Sequence, residues 1–167
     1  MTSPTARSRK GARPTGAGRR SPQASERRGA QRVALQLSPS TERRRILLAE
    51  DDTDMRELLA WALLDAGYDV DAAPDGADLC NRLARHLLHT DSRPVDLVIS
   101  DIRMPGYSGL DVIKGLRNVD RLPPTILITA FGDEENHRQA EEIGVLLLDK
   151  PFEIDELLAR VREVLGS

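Results

Sequence analysis

The sequence predicts an α/β domain, a doubly wound (βα)5 three-layer sandwich whose parallel sheet carries helices on both faces. Five short apolar runs of strand length alternate with five segments whose apolar residues recur at helical spacing. Four of these runs are nearly all apolar, as strands covered on both faces are, whereas the second alternates. Charge also divides the chain. Residues 1–45 hold twelve of the 24 Lys and Arg but two of the 27 Asp and Glu, a net of +10, which leaves −13 for residues 46–167.

The first run, Ile46-Leu47-Leu48-Ala49, ends in Glu50-Asp51-Asp52 and predicts a buried strand. Met55, Leu58, Leu59, Ala62 and Leu63 follow at i, i+3, i+4, i+7 and i+8, one stripe of a helix. Asp52 or Thr53 suits its cap, and Gly67 the left-handed position past its end. Tyr68–Ala73 alternates polar and apolar residues, the pattern of a strand near a sheet edge, and Pro74-Asp75-Gly76 turns the chain. Leu79, Cys80, Leu83, Leu87 and Leu88 mark a second helix.

Val95–Ser100 predicts a third strand ending at Asp101, Met104–Gly109 a loop, and Leu110–Arg117 a short helix. Pro123-Pro124 leads into a fourth strand, Thr125–Thr129, and Ala130-Phe131-Gly132 turns into a charged helix over Asp133–Ile143. A fifth strand is expected over Val145–Leu148. Ile154, Leu157, Leu158, Val161 and Leu165 form the last helical stripe. The alternating second strand belongs at an edge, which gives the order 2-1-3-4-5 with a switch point between strands 1 and 3. Sites in such sheets form outside the carboxyl ends of the strands.

Residues 1–43 read as a disordered basic tail and 44–167 as the folded domain. The tail is rich in Arg, Ser, Pro, Gly and Ala, lacks aromatics, and cannot bury enough surface to offset the entropy of ordering. It has no secretory apolar stretch, though its Arg-rich, acid-poor character resembles an organellar transit peptide. A solvated tail, or an arm that touches nucleic acid or an acidic partner, are the other readings. No run approaches the ~20 apolar residues of a membrane span. The single cysteine, Cys80, excludes a disulfide framework and a thiolate metal cluster and suits a reducing cytoplasm. Five aromatic residues are too few for an aromatic RNA-stacking platform.

Strand 1 ends in Glu50-Asp51-Asp52, strand 3 in Asp101, strand 4 in Thr129 and strand 5 in Lys150-Pro151. Carboxylates ~4 Å apart repel by about 4 kcal/mol at an effective dielectric near 20, so the group needs a cation. Oxygen ligands without nitrogen or sulfur select a hard one, such as Mg²⁺. Any one of these acids alone reads as a helix cap or a solvated loop; Asp51, Asp101 and Lys150 together, each ending a central strand, do not. A carboxylate beside a divalent cation can attack phosphorus, because the metal neutralises charge on the phosphoryl oxygens. Thr129 can donate to one such oxygen, Lys150 can pair with another, and the backbone N–H groups of Ile102, Arg103 and Ala130 can supply further donors. The expected product is an aspartyl phosphate on Asp101.

Residues 46–164 resemble the receiver domain of bacterial two-component response regulators. The matching segments are Ile46–Asp52, Ser100-Asp101-Ile102-Arg103-Met104-Pro105-Gly106-Tyr107-Ser108-Gly109-Leu110, Ile128-Thr129-Ala130 and Asp149-Lys150-Pro151-Phe152. The resemblance implies a flavodoxin-like fold and a chain that catalyses only its own phosphorylation and dephosphorylation. It implies Asp101 as phosphoacceptor, with Mg²⁺ held by Asp51, Asp101 and the backbone carbonyl of Arg103, and Glu50 acting through a metal-bound water. Thr129 and Lys150 would bind the phosphoryl group, Lys150-Pro151 would be cis, and the donor would be a phosphohistidine on a sensor kinase or phosphotransfer protein. One position departs from the family pattern. Three residues before the lysine, where an aromatic switch residue is usual, stands Leu147, and Gly144 to Lys150 is one residue shorter than usual.

Other signals are weaker. Gly106-Tyr107-Ser108-Gly109 only superficially suggests a nucleophile elbow, since Leu110 stands where the final glycine belongs. A haloacid-dehalogenase-type phosphatase needs a second Asp two residues past the nucleophile, where Arg103 stands. His86, His89 and His137 read as solvated helix residues, and Trp61 and Met55 as helix-face packing. With no domain expected after Ser167, output passes to a partner protein, to the tail, or by onward phosphotransfer; a phosphorylation-independent scaffold is the alternative that Leu147 raises.

Overall fold

A computed structural model describes residues 43–90, 93–130 and 134–166. The expectations placed on residues 1–42 and 131–133 lie outside the described residues. Five strands, β1 (Arg45–Ala49), β2 (Asp69–Ala73), β3 (Leu97–Asp101), β4 (Thr125–Thr129) and β5 (Leu146–Asp149), form one parallel sheet in the order β2-β1-β3-β4-β5. The helices are α1 (Thr53–Asp65), α2 (Gly76–Leu87), α3 (Gly109–Leu116), α4 (Glu134–Ile143) and α5 (Ile154–Leu165). This is the doubly wound fold that the alternation predicts.

Side chains alternate faces along a strand, so a strand buried on both sides needs apolar residues throughout. In β1, Leu47 and Ala49 join Val98, Leu127 and the apolar residues of α2 and α3 in one core cluster. Ile46 and Leu48 join Ile99, Ile126 and Ile128 with Leu59, Leu63, Leu157 and Val161 of α1 and α5 in the other. Each fully buried Leu or Ile contributes roughly 1.5–3 kcal/mol. Edge strand β2 is only half-buried, and its Asp71 takes ion pairs from Arg45 and Arg82.

Two strands are shifted from their expected bounds, each for a local reason. Asp96 does not begin β3: its carboxylate accepts the Arg45 amide at 2.8 Å and pairs with Arg44 at 2.8 Å. Val145 does not begin β5, because its amide closes α4 on the Ala140 carbonyl at 3.0 Å, after which Gly144 has taken φ +70°.

Caps follow sequence chemistry. Asp52 accepts the Met55 amide at 2.8 Å, Asp75 the Asp78 amide at 2.8 Å, and Ser108 the Asp111 amide at 3.0 Å. The serine of the elbow-like motif is therefore a helix cap.

Two expectations for single residues are corrected. Trp61 does not pack on the core: α1 turns Leu59 and Leu63, four residues apart, to the sheet and leaves Trp61 74% exposed and Leu58 53% exposed. His86 is not a solvated helix end, since its Nδ1 accepts the Val95 amide at 3.0 Å and ties α2 to the approach of β3. Among the described residues no helix is long and apolar enough to cross a membrane.

Candidate functional site

Parallel pairing brings the carboxyl ends of β1, β3, β4 and β5 to one edge of the sheet. Beyond Ala49 the chain still follows the ladder, with the Glu50 amide on the Ala73 carbonyl at 3.2 Å, so Glu50 is 1% exposed while Asp51 reaches solvent. Asp101, the last residue of β3, is 4% exposed. One carboxylate oxygen from each of Glu50, Asp51 and Asp101 lies within 4.8 Å of the others.

Lys150 answers this charge. Its Nζ donates to Glu50 Oε2 at 2.8 Å and stands 3.0 Å from Asp101 Oδ1, while its amide donates to the Thr129 carbonyl at 2.7 Å. The Lys150–Pro151 peptide is cis. One ammonium faces three carboxylates, a local deficit of positive charge.

The electrostatics follow from burial. Desolvation pushes the Asp101 carboxyl above its ordinary value, against the pull of Lys150 and the Arg103 amide, with Asp51 adding to the rise. Glu50 rises for the same first reason, helped by the charge of Asp101. Burial works against the Lys150 ammonium too, but its bonds to Glu50 and Asp101 outweigh that and hold it above the usual lysine range.

Asp101 Oδ2 accepts the Arg103 amide at 2.8 Å. Its Oδ1 is buried and has no aligned hydrogen-bond partner among the described residues, Lys150 lying close but off the bonding direction. A buried carboxylate oxygen whose near cation is the single ammonium of Lys150, beside two further carboxylates, is a site chemically fitted to a hard cation.

Thr129 is fully buried at the end of β4. Ala130 follows it on the exposed loop. Leu147 is half-buried, opposite Leu127 in register, and packs on the cluster containing Leu47 and Val98. The expectation that Ile102 donates to a phosphoryl oxygen is corrected: its amide already donates to the Ile128 carbonyl at 2.8 Å, continuing the ladder one residue past β3.

Two residues were missed at the level of sequence. Arg56 of α1 reaches back to the carbonyl of Glu50 at 2.8 Å, the carbonyl of Asp51 at 3.3 Å and Thr53 Oγ1 at 3.3 Å, clamping the acidic loop. Its one signal is a basic residue a turn into a helix that follows three acids. Gly109 lies so close to β3 that a Cβ would overlap the Asp101 carbonyl and Ser100 Oγ.

The model of the response regulator receiver domain matches residues 46–162. The chain is 38% identical over 122 residues to the transcriptional regulatory protein TctD of Salmonella typhimurium and 37% identical over 122 residues to the transcriptional regulatory protein CusR of Escherichia coli. Each alignment covers 72% of this chain and 51% of the relative, so the chain spans about half the length of the curated relatives it matches. Among solved structures, the Francisella response regulator 1452 receiver domain superposes with TM-score 0.63 at 27% identity, over 74% of this chain and 97% of that one. The Vibrio cholerae chemotaxis protein CheY4 gives TM-score 0.63 at 26% identity, over 73% and 98%.

Proposed function

Since the chain belongs to the response regulator receiver domain family, we propose that it takes a phosphoryl group onto Asp101 from a phosphohistidine and thereby changes a protein-interaction surface. The supporting observation is the buried Asp101, whose Oδ1 lies 3.0 Å from Lys150 Nζ and one of whose carboxylate oxygens lies within 4.8 Å of one each from Glu50 and Asp51. The donor is a sensor histidine kinase or phosphotransfer protein. The chain acts on itself alone, in the cytoplasm, with residues 44–167 as the receiver and 1–43 as a basic tail.

A carboxylate oxygen of Asp101 attacks phosphorus, the O–P bond forms, and the P–N bond to the donor imidazole breaks with its electron pair returning to nitrogen. Asp51, Asp101 and the main-chain carbonyl of Arg103 would hold Mg²⁺, with Glu50 in the outer shell. What a bound Mg²⁺ supplies is charge neutralisation on the phosphoryl oxygens. Lys150 transfers its ammonium from Asp101 to the new phosphoryl oxygens. Thr129 and the amides of Arg103 and Ala130 donate to the others. An apolar groove of about 490 Å³ beside Lys150, lined by Met55, Leu58, Phe152 and Ile154, offers the donor protein a surface to rest on.

Incubation with Mg²⁺ and phosphoramidate, which presents a P–N bond, is expected to leave one hydroxylamine-sensitive phosphate. Equal labelling of Asp101→Asn refutes this function. A second reading, a scaffold indifferent to phosphorylation, draws on Leu147: a leucine packed on the core has no polar tip to change partners when the site fills. It requires partner affinity to be unchanged by a phosphoryl mimic.

A further inference from the structure

Two recesses meet at Lys150. One, of about 410 Å³, is lined by Asp52, Asp54, Met55, Leu58 and Lys150. The other is the groove of about 490 Å³, which shares Met55, Leu58 and Lys150 and adds Glu153 on its far side. Together they form the approach to the site, an apolar floor of Met55 and Leu58 with a carboxylate on either flank.

Asp54 and Glu153 are exposed, and neither side chain caps its helix. Asp52 caps α1 by accepting the Met55 amide at 2.8 Å, and Asp54 lies in the turn that follows. Glu153 holds the N-cap position of α5, but its side chain makes no cap hydrogen bond. Both acids favour their helices through the backbone dipole, a role that bears on stability and not on the choice of donor. The nearby cations are turned inward. Lys150 Nζ stands 2.8 Å from Glu50 and 3.0 Å from Asp101, and Arg56 reaches back to the Glu50 carbonyl at 2.8 Å. A donor arriving from solvent therefore meets Asp54 and Glu153 before it meets the Lys150 ammonium.

We propose that Asp54 and Glu153 select the phosphodonor by charge, disfavouring anionic acyl phosphates relative to donors whose phosphorus is bonded to nitrogen. The inference rests on Asp101 being the phosphoacceptor. With either donor an Asp101 oxygen forms the new O–P bond while the bond from phosphorus to the leaving group breaks. The electron pair departs with acetate from acetyl phosphate, and with nitrogen, as ammonia, from phosphoramidate. What differs is charge. Acetyl phosphate is a dianion near neutral pH, whereas phosphoramidate, protonated on nitrogen, is a monoanion. Fixed carboxylates repel the monoanion about half as strongly. A phosphohistidine carried by a protein brings, in addition, a surface that can rest on Met55 and Leu58, which a small acyl phosphate lacks.

The test measures the second-order rate of Asp101 phosphorylation on the full chain with Mg²⁺, using acetyl phosphate and phosphoramidate in turn. Asp54→Asn/Glu153→Gln is expected to raise the rate about fivefold with acetyl phosphate and about twofold with phosphoramidate, so that their ratio rises roughly twofold. Added salt should shrink this gain, because the Debye length falls to roughly 8 Å at physiological ionic strength. Glu57→Gln removes an exposed acid of α1 that lines neither recess, and should leave the ratio unchanged. A ratio unaltered in the double variant, or altered equally by Glu57→Gln, overturns the proposal. A lowered denaturation midpoint with an unaltered ratio assigns the two acids to helix stability alone and overturns it too. No phosphate from either donor refutes the function of Asp101 itself, and the inference falls with it.

Discussion

Lys150 Nζ stands 2.8 Å from Glu50 Oε2, joining the end of edge strand β5 to the end of central strand β1. Glu50 is 1% exposed, so this ammonium compensates a charge that water cannot reach. Removing one partner of such a pair leaves the other buried and unpaired.

Lys150→Met is therefore expected to lower the unfolding free energy of the metal-free protein by about 2–3 kcal/mol. Urea unfolding with and without Mg²⁺ checks it. The loss should shrink when the cation is added, and an equal loss under both conditions contradicts the shared site.

Burial holds the Asp101 and Glu50 carboxyls above their ordinary values. The folded protein then binds protons more readily than the unfolded chain, so ionisation of these groups opposes folding. The penalty is absent below the unfolded values, near 3.8 for Asp and 4.5 for Glu, and grows as pH rises through the raised folded ones. Lys150 runs the other way: the stability that its raised pKa contributes is complete below 10.5 and fades only at more alkaline pH. Without Mg²⁺, the stability of Asp101→Asn minus that of the natural chain should become more positive as pH rises above the unfolded value of 3.8. A difference independent of pH contradicts this.

Gly109 and Gly115 lie in the same helix and predict opposite outcomes. A Cβ at Gly109 meets the Asp101 carbonyl and Ser100 Oγ, and Gly109→Ala should cost about 2 kcal/mol or more through displaced backbone. Nothing lies within 4 Å of a Cβ at Gly115, where alanine should stabilise by about 0.5–1 kcal/mol. Denaturation midpoints of the two variants decide.

Arg56 holds the carbonyls of Glu50 and Asp51, so Arg56→Ala frees the loop that carries two of the three carboxylates. Mg²⁺ affinity, read by calorimetry, is expected to weaken about tenfold, with a stability loss near 1 kcal/mol.

Trp61 is 74% exposed, and Trp61→Ala should change stability by less than about 0.5 kcal/mol. A loss of several kcal/mol in thermal unfolding contradicts an outward-facing α1 stripe.

Element order, the edge placement of β2 and the gathering of Glu50, Asp51, Asp101 and Lys150 were legible in the sequence, because strand ends in a parallel sheet share one edge. Ile102 and Trp61 were not. An amide's commitment to Ile128 is fixed by how far the ladder extends past β3. Trp61's exposure depends on how wide a stripe of α1 the sheet can cover, which periodicity states only to within a residue or two.

Local patterning of apolar and charged residues by itself determined that an α/β sheet forms and which acids crowd its edge. Only the tertiary structure decided which oxygen of Asp101 faces Lys150 and which takes the Arg103 amide, that Arg56 clamps the acidic loop, and that His86, His89, Arg93 and Arg121 face one recess. The reason is physical: hydrophobic periodicity acts along the chain, whereas hydrogen-bond direction and charge compensation are settled between segments far apart in sequence.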